Sequence, residues 1–139
     1  MIHLVYVSSA SHPLSEEDLL SLLEQSRNRN KRQNVTGMLL YIGGNFFQIL
    51  EGDVKDVEEI YEAIVQDERN KDNIVIIKEN INERTFPDWS MGFKHLTPQN
   101  IDSIEGYTDF LDKEIKPEEF ENSTDKVLRL LYQFKKGNV

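Results

Sequence analysis

The sequence predicts an α+β protein with a ferredoxin-like βαββαββ sheet, two helices on one face of that sheet and a C-terminal helix on the other. Two observations predict it. Segments with the two-residue alternation of strands and segments with the helical repeat follow one another in this order. Two strands carry apolar residues on both alternating faces, so both faces of the sheet need a cover. With 139 residues, we expect one domain, residues 1–96 forming its main unit and 97–139 a helical extension packed on the sheet.

Five segments rich in β-branched and aromatic residues are typical of strands. They are residues 2–8, 35–42, 45–51, 73–79 and 91–95. Gly43 and Gly44 separate the second segment from the third, and a two-glycine connection is typical of a tight hairpin. We therefore expect the second and third strands to pair as antiparallel neighbours.

Apolar residues at helical spacing predict three helices. The first begins at Ser15, because Ser15 and Asp18 match a capping box, and runs to about residue 29. The second begins at Asp53, its expected cap, and the third begins near Thr124. The residues expected on the inward faces of the first two helices are Leu19, Leu22, Leu23, Ser26, Asn30, Val57, Ile60, Tyr61 and Ile64.

The composition argues against several classes of function. A net charge of −9 disfavours nucleic acid or an anionic membrane as the partner, and the absence of cysteine excludes disulfides and thiolate chemistry. The chain has no leader-like N-terminus and no apolar run near the roughly 20 residues of a membrane span, so we expect a cytoplasmic protein. His3, His12 and His95 lack metal-ligand spacing, and neither a Gly-rich phosphate loop nor a nucleophile elbow occurs. We therefore expect no metal and no catalytic residues.

Gln48 is a polar residue in the apolar run of residues 45–51, and the alternation places it on the same face as Phe46 and Leu50. A buried carboxamide needs partners for two donor hydrogens and one acceptor oxygen. If the first and third strands are neighbours, Tyr6 lies across the ladder from Gln48 and can bond to it. From the pattern alone, a core glutamine bonded to the backbone and a core tyrosine bonded to any acceptor stay open as alternatives.

A second group of polar residues lies near the ends of the first two helices. Residues 27–34 form the main basic cluster, and helical spacing turns Asn30 toward the apolar face of its helix. Arg69, with Asp67 near it, follows the second helix. Two apolar helix faces closed by an asparagine and an arginine can hold a flat ring with polar edges. Cations that only complement the helix dipole are the alternative.

Six segments within residues 1 to about 96 resemble, in order and spacing, the signature segments of BLUF domains, a family of blue-light receptors that hold a flavin. The segments are Leu4-Val5-Tyr6-Val7-Ser8, Asn30, Asn34-Val35-Thr36-Gly37-Met38-Leu39-Leu40, Phe46-Phe47-Gln48-Ile49-Leu50-Glu51-Gly52, Asp67-Glu68-Arg69 and Phe86-Pro87-Asp88-Trp89-Ser90-Met91. Each segment alone is weak, but the six together, with the rare Phe-Phe-Gln-Ile-Leu-Glu-Gly run, are specific.

The resemblance implies a non-covalent flavin, FAD with FMN or riboflavin as alternatives, and roles for individual residues. Tyr6 would donate an electron and a proton to the photoexcited flavin, and Gln48 would bridge Tyr6 and the flavin and rearrange after light. The residues implied to bind the flavin are Tyr6, Leu22, Ser26, Arg29, Asn30, Gln48, Ile64, Asp67 and Arg69. Trp89 and Met91 would relay the change outward, and which of the two lies beside Gln48 stays open.

Two positions depart from the pattern of relatives. Asn70 stands where many carry a histidine, and Arg29 stands where some place another residue against the ring. Both departures bear on flavin affinity or dark recovery, and neither removes the photochemical pair.

The resemblance therefore implies a bacterial, non-enzymatic photoreceptor whose reversible red-shifted state signals to a partner protein. We also expect a homo-oligomer, because the amphipathic C-terminal helix offers a surface for self-association. The alternatives are a ligand-free ferredoxin-like interaction domain and a flavin-using enzyme, although no nicotinamide-binding fingerprint is present. The sequence leaves open the partner, the type of flavin and whether the chain is part of a longer protein.

Overall fold

The computed structural model describes residues 1–88 and 90–96. Within them the strands are β1 (Ile2–Ala10), β2 (Thr36–Ile42), β3 (Asn45–Gly52), β4 (Asn70–Asn80) and β5 (Gly92–Leu96), and the helices are α1 (Glu16–Arg32) and α2 (Val54–Gln66). The elements follow one another in the predicted βαββαββ order, so the predicted fold class is confirmed.

The five strands form one sheet in the order β4-β1-β3-β2-β5. β1 pairs antiparallel with β3 and β4, β2 pairs antiparallel with β3, and β5 runs parallel to β2. The first four strands have the ferredoxin-like arrangement, and β5 extends the sheet beyond β2. Consequently β4 and β5, which are consecutive in the chain, lie at opposite edges of the sheet.

Local sequence signals explain how the two helices begin. The Ser15 hydroxyl accepts a hydrogen bond from the Asp18 backbone N–H, and the Ser15 N–H donates to the Asp18 carboxylate, which confirms the predicted capping box. Asp53 occupies the cap position of α2, but its side chain makes no capping hydrogen bond. Its carbonyl accepts from the Val57 N–H at 3.0 Å, so the backbone and not the carboxylate starts this helix.

The hairpin between β2 and β3 is as tight as predicted. Ile42 and Asn45 are paired, so Gly43 and Gly44 alone form the turn. Their φ angles are 55° and 78°, the left-handed region that a two-residue turn of this type requires and that glycine adopts without a steric penalty.

The main core lies between one face of the sheet and the two helices. Its buried side chains from the sheet are Ile2, Leu4, Tyr6, Leu39, Tyr41, Phe46 and Leu50, those from the helices are Leu19, Leu23, Val57, Ile60 and Ile64, and those directly before β2 and β5 are Val35 and Met91. Leu22 and Tyr61, expected on the inward helix faces, are only partly buried and pack at the border of this core. The two helices therefore cover the face of the sheet that carries Tyr6 and Gln48.

The opposite face of the sheet also carries buried apolar side chains, among them Val5, Val7, Leu40, Phe47 and Ile49. The C-terminal helix predicted to cover this face falls in residues 97–139, which lie outside the described part of the chain. Neither of the two described helices is long and apolar enough to cross a membrane.

Candidate functional site

Tyr6 and Gln48 form a buried pair at the centre of the sheet. They are directly opposite each other in the β1–β3 ladder, as predicted, and are 4% and 2% exposed. The Tyr6 hydroxyl donates a hydrogen bond to Gln48 Oε1. With its oxygen engaged by the phenol, the carboxamide presents its Nε2 hydrogens to the remaining neighbours.

Met91 is one of those neighbours. Its sulfur lies 3.3 Å from Gln48 Nε2, so the thioether acts as a weak acceptor for the carboxamide. Met91 is 1% exposed and directly precedes β5, which begins at Gly92 rather than at Met91 as predicted. The arrangement thus places Met91 beside Gln48, while Trp89 lies outside the described residues.

A cavity opens beside this pair, between the ends of α1 and α2. Its lining combines apolar side chains with polar and charged ones. The lining residues are Tyr6, Ser8, Leu22, Gln25, Ser26, Arg29, Leu39, Phe46, Gln48, Ile64, Asp67, Arg69 and Asn70. Eight of the nine residues expected to bind a flavin therefore meet at one cavity, and Asn30 is the exception.

Asn30 is fully buried, but its amide nitrogen already has a partner inside the protein. Asn30 Nδ2 donates to the Ser90 carbonyl at 2.8 Å, and Arg27 Nε donates to the Met91 carbonyl at 2.9 Å. The last turns of α1 are thereby tied to the residues that lead into β5. Asn30 Oδ1 is buried and has no hydrogen-bond partner in the described part of the protein.

Unpartnered polar atoms at the cavity indicate a ligand with polar edges. Within residues 1–88 and 90–96, Ser8 Oγ, Arg29 Nε and Asn70 Oδ1 are buried without a hydrogen-bond partner, and all three residues line the cavity. Such groups carry a free-energy cost unless a partner satisfies them. A flat ring with carbonyl and ring-nitrogen atoms along its edge, inserted between Leu22 and Ile64, supplies such partners, so the donor set fits a flavin.

The charged groups of the cavity fall into an ion pair and a separate cation. Arg69 bonds to the Asp67 carboxylate at 2.6 Å and to Gln25 Oε1 at 3.0 Å. The hydrogen bonds from Arg69 lower the pKa of Asp67 and raise the pKa of Arg69 itself. Arg29 forms no ion pair within the described residues, and burial lowers the pKa of its guanidinium.

Burial also controls the state of Tyr6. Removal from solvent, helped by the neighbouring Tyr61, raises the pKa of the Tyr6 phenol well above its usual value. The two rings are tilted with their centroids 5.2 Å apart. Tyr6 is therefore neutral in the folded protein and donates a hydrogen bond to Gln48.

Five cavity residues were not among those expected to bind a flavin: Ser8, Gln25, Leu39, Phe46 and Asn70, of which Asn70 was noted only as a departure from the pattern of relatives. For some of them the sequence held a usable signal. Ser8 shares the alternating face of Tyr6, and Gln25 lies at helical spacing from Leu22 and Arg29. The position of Leu39 opposite Gln48 also follows from the predicted hairpin, because a turn made by Gly43 and Gly44 alone sets the β2–β3 register.

Comparison with known proteins gives a consistent result. Residues 1–92 match the family model of BLUF, described as sensors of blue-light using FAD. The photoactivated adenylate cyclase subunit alpha of Euglena gracilis is 42% identical over 86 residues, which are 62% of this chain and 8% of that protein. Subunit beta of the enzyme from Euglena longa is 36% identical over 89 residues, which are 10% of its length. The chain thus spans about a tenth or less of these curated relatives.

Solved structures of similar fold agree with this result. The dark-state structure of BlrB, a BLUF protein, is 26% identical with a TM-score of 0.73, and the likeness covers 92% of this chain and 94% of BlrB. The photo-activated state of BlsA gives 27% identity and a TM-score of 0.70, covering 94% of both chains. A bacterial light-regulated adenylyl cyclase is 39% identical over 68% of this chain and 28% of its own, with a TM-score of 0.66. The chain therefore belongs to the BLUF family of flavin-dependent blue-light sensors.

Proposed function

We propose that the protein senses blue light through a hydrogen-bonded chain of three side chains, Tyr6, Gln48 and Met91. The observation that carries the proposal is the position of the Gln48 carboxamide, which accepts from the Tyr6 hydroxyl at one atom and faces the Met91 sulfur with the other. A change in the orientation of one buried amide therefore reaches both the photochemical site and the residue preceding β5.

A bound flavin supplies the absorption of blue light and an oxidising excited state. The residues proposed to hold it are Leu22, Ser26, Arg29, Asn30, Ile64, Asp67 and Arg69, with Tyr6 and Gln48 at its polar edge. Six of the first seven side chains line the cavity as apolar walls or polar rim beside the Tyr6–Gln48 pair, and Asn30, the seventh, offers a buried oxygen without a partner among the described residues. We propose FAD as the flavin, with FMN and riboflavin as alternatives that extraction and chromatography of the cofactor distinguish.

The chemistry begins at Tyr6. A neutral phenol is a weak acid, but it becomes a strong acid when it loses an electron, so its electron and its proton leave together. The proton has an acceptor in place, because the hydroxyl already donates to Gln48 Oε1. When the electron and the proton return to Tyr6, the carboxamide is free to settle with its oxygen and nitrogen exchanged.

An exchanged carboxamide changes the contact with Met91. In the present orientation Gln48 Nε2 donates toward the sulfur, whereas in the exchanged one an oxygen without a hydrogen faces it. The preferred position of Met91 then shifts, and with it the start of β5. We propose that a partner protein detects this shift and that the domain itself has no enzymatic activity. We also propose that residues 97–139 form a helical extension on the sheet and that the protein self-associates through this extension.

The test is the absorption spectrum of the purified protein before, during and after blue illumination. We expect a flavin spectrum that moves to longer wavelength in light and returns in darkness. A flavin spectrum that does not move would refute the proposed switch, and a colourless protein that takes up no flavin would favour a ligand-free interaction domain.

A further inference from the structure

The connection between β4 and β5 crosses the end of the sheet. Because these two strands lie at opposite edges, the chain after Asn80 has to pass the ends of β1, β3 and β2 before β5 begins. A crossing segment has no ladder partner for its own backbone N–H groups, and each buried N–H needs another acceptor. We refer to residues 81–88 of this connection as the crossing segment.

Glu51 supplies those acceptors. Its side chain is 0% exposed and points away from the face that carries Gln48. One carboxylate oxygen accepts from the Thr85 N–H at 2.5 Å, and the other accepts from the Phe86 N–H at 2.9 Å and from the Thr36 hydroxyl at 3.1 Å. A buried carboxylate is costly unless several donors compensate it, so this residue type at this place indicates a holding role.

Arg84 connects the same segment to the first residue of β2, to β3 and to Asn34, two positions before β2. Its Nη1 donates to the Thr36 hydroxyl at 2.9 Å and to the Glu51 carbonyl at 3.0 Å, and its Nη2 donates to the Asn34 carbonyl at 2.7 Å. The crossing segment is therefore held at residues 84–86, through its own backbone N–H groups and through the Arg84 side chain. The last of these residues lies only five positions before Met91.

One strand thus carries both the glutamine of the switch and the carboxylate that holds its relay. Glu51 lies three residues after Gln48 on β3, about 10 Å along the strand at the usual rise per residue. We propose that Glu51 is a positioning residue, which fixes the crossing segment so that the Met91 sulfur stays against Gln48, where the exchanged carboxamide oxygen is disfavoured, and thereby speeds the return of Gln48 to its dark orientation. This inference rests on the proposed function.

The experiment measures the rate of dark recovery after illumination in a double-mutant cycle of Glu51→Gln and Met91→Ala, with the flavin-bound protein. We expect Glu51→Gln to keep the flavin and the amplitude of the red shift, because Tyr6 and Gln48 are untouched. We expect it to slow recovery by about threefold to tenfold, the range that the loss of one hydrogen bond to a buried group corresponds to. In a protein that already carries Met91→Ala, Glu51→Gln should change the rate of dark recovery by less than about twofold, which is no more than the usual deviation from additivity between distant sites.

Glu79→Gln is the matched control. Glu79 belongs to the same cross-strand row as Glu51, since His3 pairs with both, and its carboxylate lies 2.8 Å from His3 Nε2. No hydrogen bond joins it to the crossing segment within the described residues, so its removal should leave recovery unchanged. If Glu51→Gln does not fold, Thr36→Ala removes one of the donors to the Glu51 carboxylate and should slow recovery by a smaller factor, with the same dependence on Met91.

The outcomes separate the inference from the function on which it rests. An effect of Glu51→Gln that is equally large with and without Met91 would overturn the positioning role, as would recovery at the rate of the Glu79→Gln control. A wild-type protein that shows no reversible shift would overturn the proposed function itself, and the positioning role with it.

Discussion

The Tyr6 hydroxyl donates a hydrogen bond to Gln48 Oε1 across the β1–β3 ladder, so the register of the two strands sets the contact between this phenol and the carboxamide. We expect Tyr6→Phe to keep the bound flavin, because the ring and its packing remain, and to abolish the reversible red shift, because the electron and proton donor is lost. The measurement is the light-minus-dark absorption difference.

Tyr61→Phe is the control for that variant. Tyr61 packs against Tyr6, but no hydrogen bond joins its hydroxyl to Gln48 within the described part of the protein. It should retain the shift. A Tyr6→Phe protein that still responds reversibly to light would show that another residue donates the electron.

The reversible red shift should persist at alkaline pH for as long as the protein is folded. Burial raises the pKa of Tyr6 above its usual value near 10, so the folded state keeps the phenol neutral where an exposed tyrosine ionises. The sign follows from linkage: the unfolded state loses this proton first, so the stabilisation is present below about pH 10 and declines as pH rises above it. The amplitude of the shift and far-ultraviolet circular dichroism, followed from about pH 7 to 11, should fall together. Loss of the shift with intact circular dichroism would contradict this expectation.

Asp67 should contribute to acid sensitivity. Hydrogen bonds from Arg69 lower its pKa, so the stabilisation is complete above the ordinary carboxyl pKa near 4 and is lost as pH falls below it toward the lowered value. We expect Asp67→Asn to be less stable than the wild type at neutral pH, by at most about 1 kcal/mol for a partly exposed pair, and the difference to shrink in acid. Thermal unfolding at about pH 6 and pH 3.5 measures it, with the exposed Glu24→Gln as control. A difference that is unchanged between the two pH values would contradict the ion-pair explanation.

Gly37 should tolerate no side chain. A Cβ atom at this position would lie 1.9 Å from the Ile49 carbonyl oxygen of the neighbouring strand, which is backbone and cannot move aside without breaking the β2–β3 ladder. We expect Gly37→Ala to cost more than the roughly 1–3 kcal/mol of ordinary overpacking and to reduce flavin retention, since Leu39 and Gln48 belong to the same pair of strands. Chemical denaturation measures the cost. Leu20→Ala, on the exposed side of α1, should change stability little, and equal stabilities of the two variants would refute the argument.

The sequence was sufficient for those parts of the fold that depend on local patterns. The capping box at Ser15, the glycine hairpin and the alternation in β1 and β3 follow from side-chain spacing, and together they predicted the Tyr6–Gln48 pair. The carboxylate of Asp53 was expected to cap α2 and does not, because a suitable residue type does not determine where its side chain points.

The contacts around Met91 could not be predicted in this way. They depend on β5 running parallel to β2 at the far edge of the sheet, a pairing that no local periodicity encodes. The same holds for Glu51, whose three donors come from positions 15 to 35 residues away in the sequence. The bond from Asn30 to the Ser90 carbonyl likewise required the structure, since spacing predicted only that Asn30 faces inward.

The strand order β4-β1-β3-β2-β5 has a consequence for the sequence of events in folding. The ladder that holds Tyr6 against Gln48 needs only β1 and β3, whereas β5 can dock only after β2 is in place and the chain has spanned the whole sheet. β5 has only five residues and pairs on one side only within the described residues. It can therefore open without breaking the ladder between β1 and β3. We therefore expect native-state amide hydrogen exchange to show β5 opening at a lower free energy than β1 and β3, so that the strand directly after Met91 opens while the strands that hold Tyr6 and Gln48 stay paired.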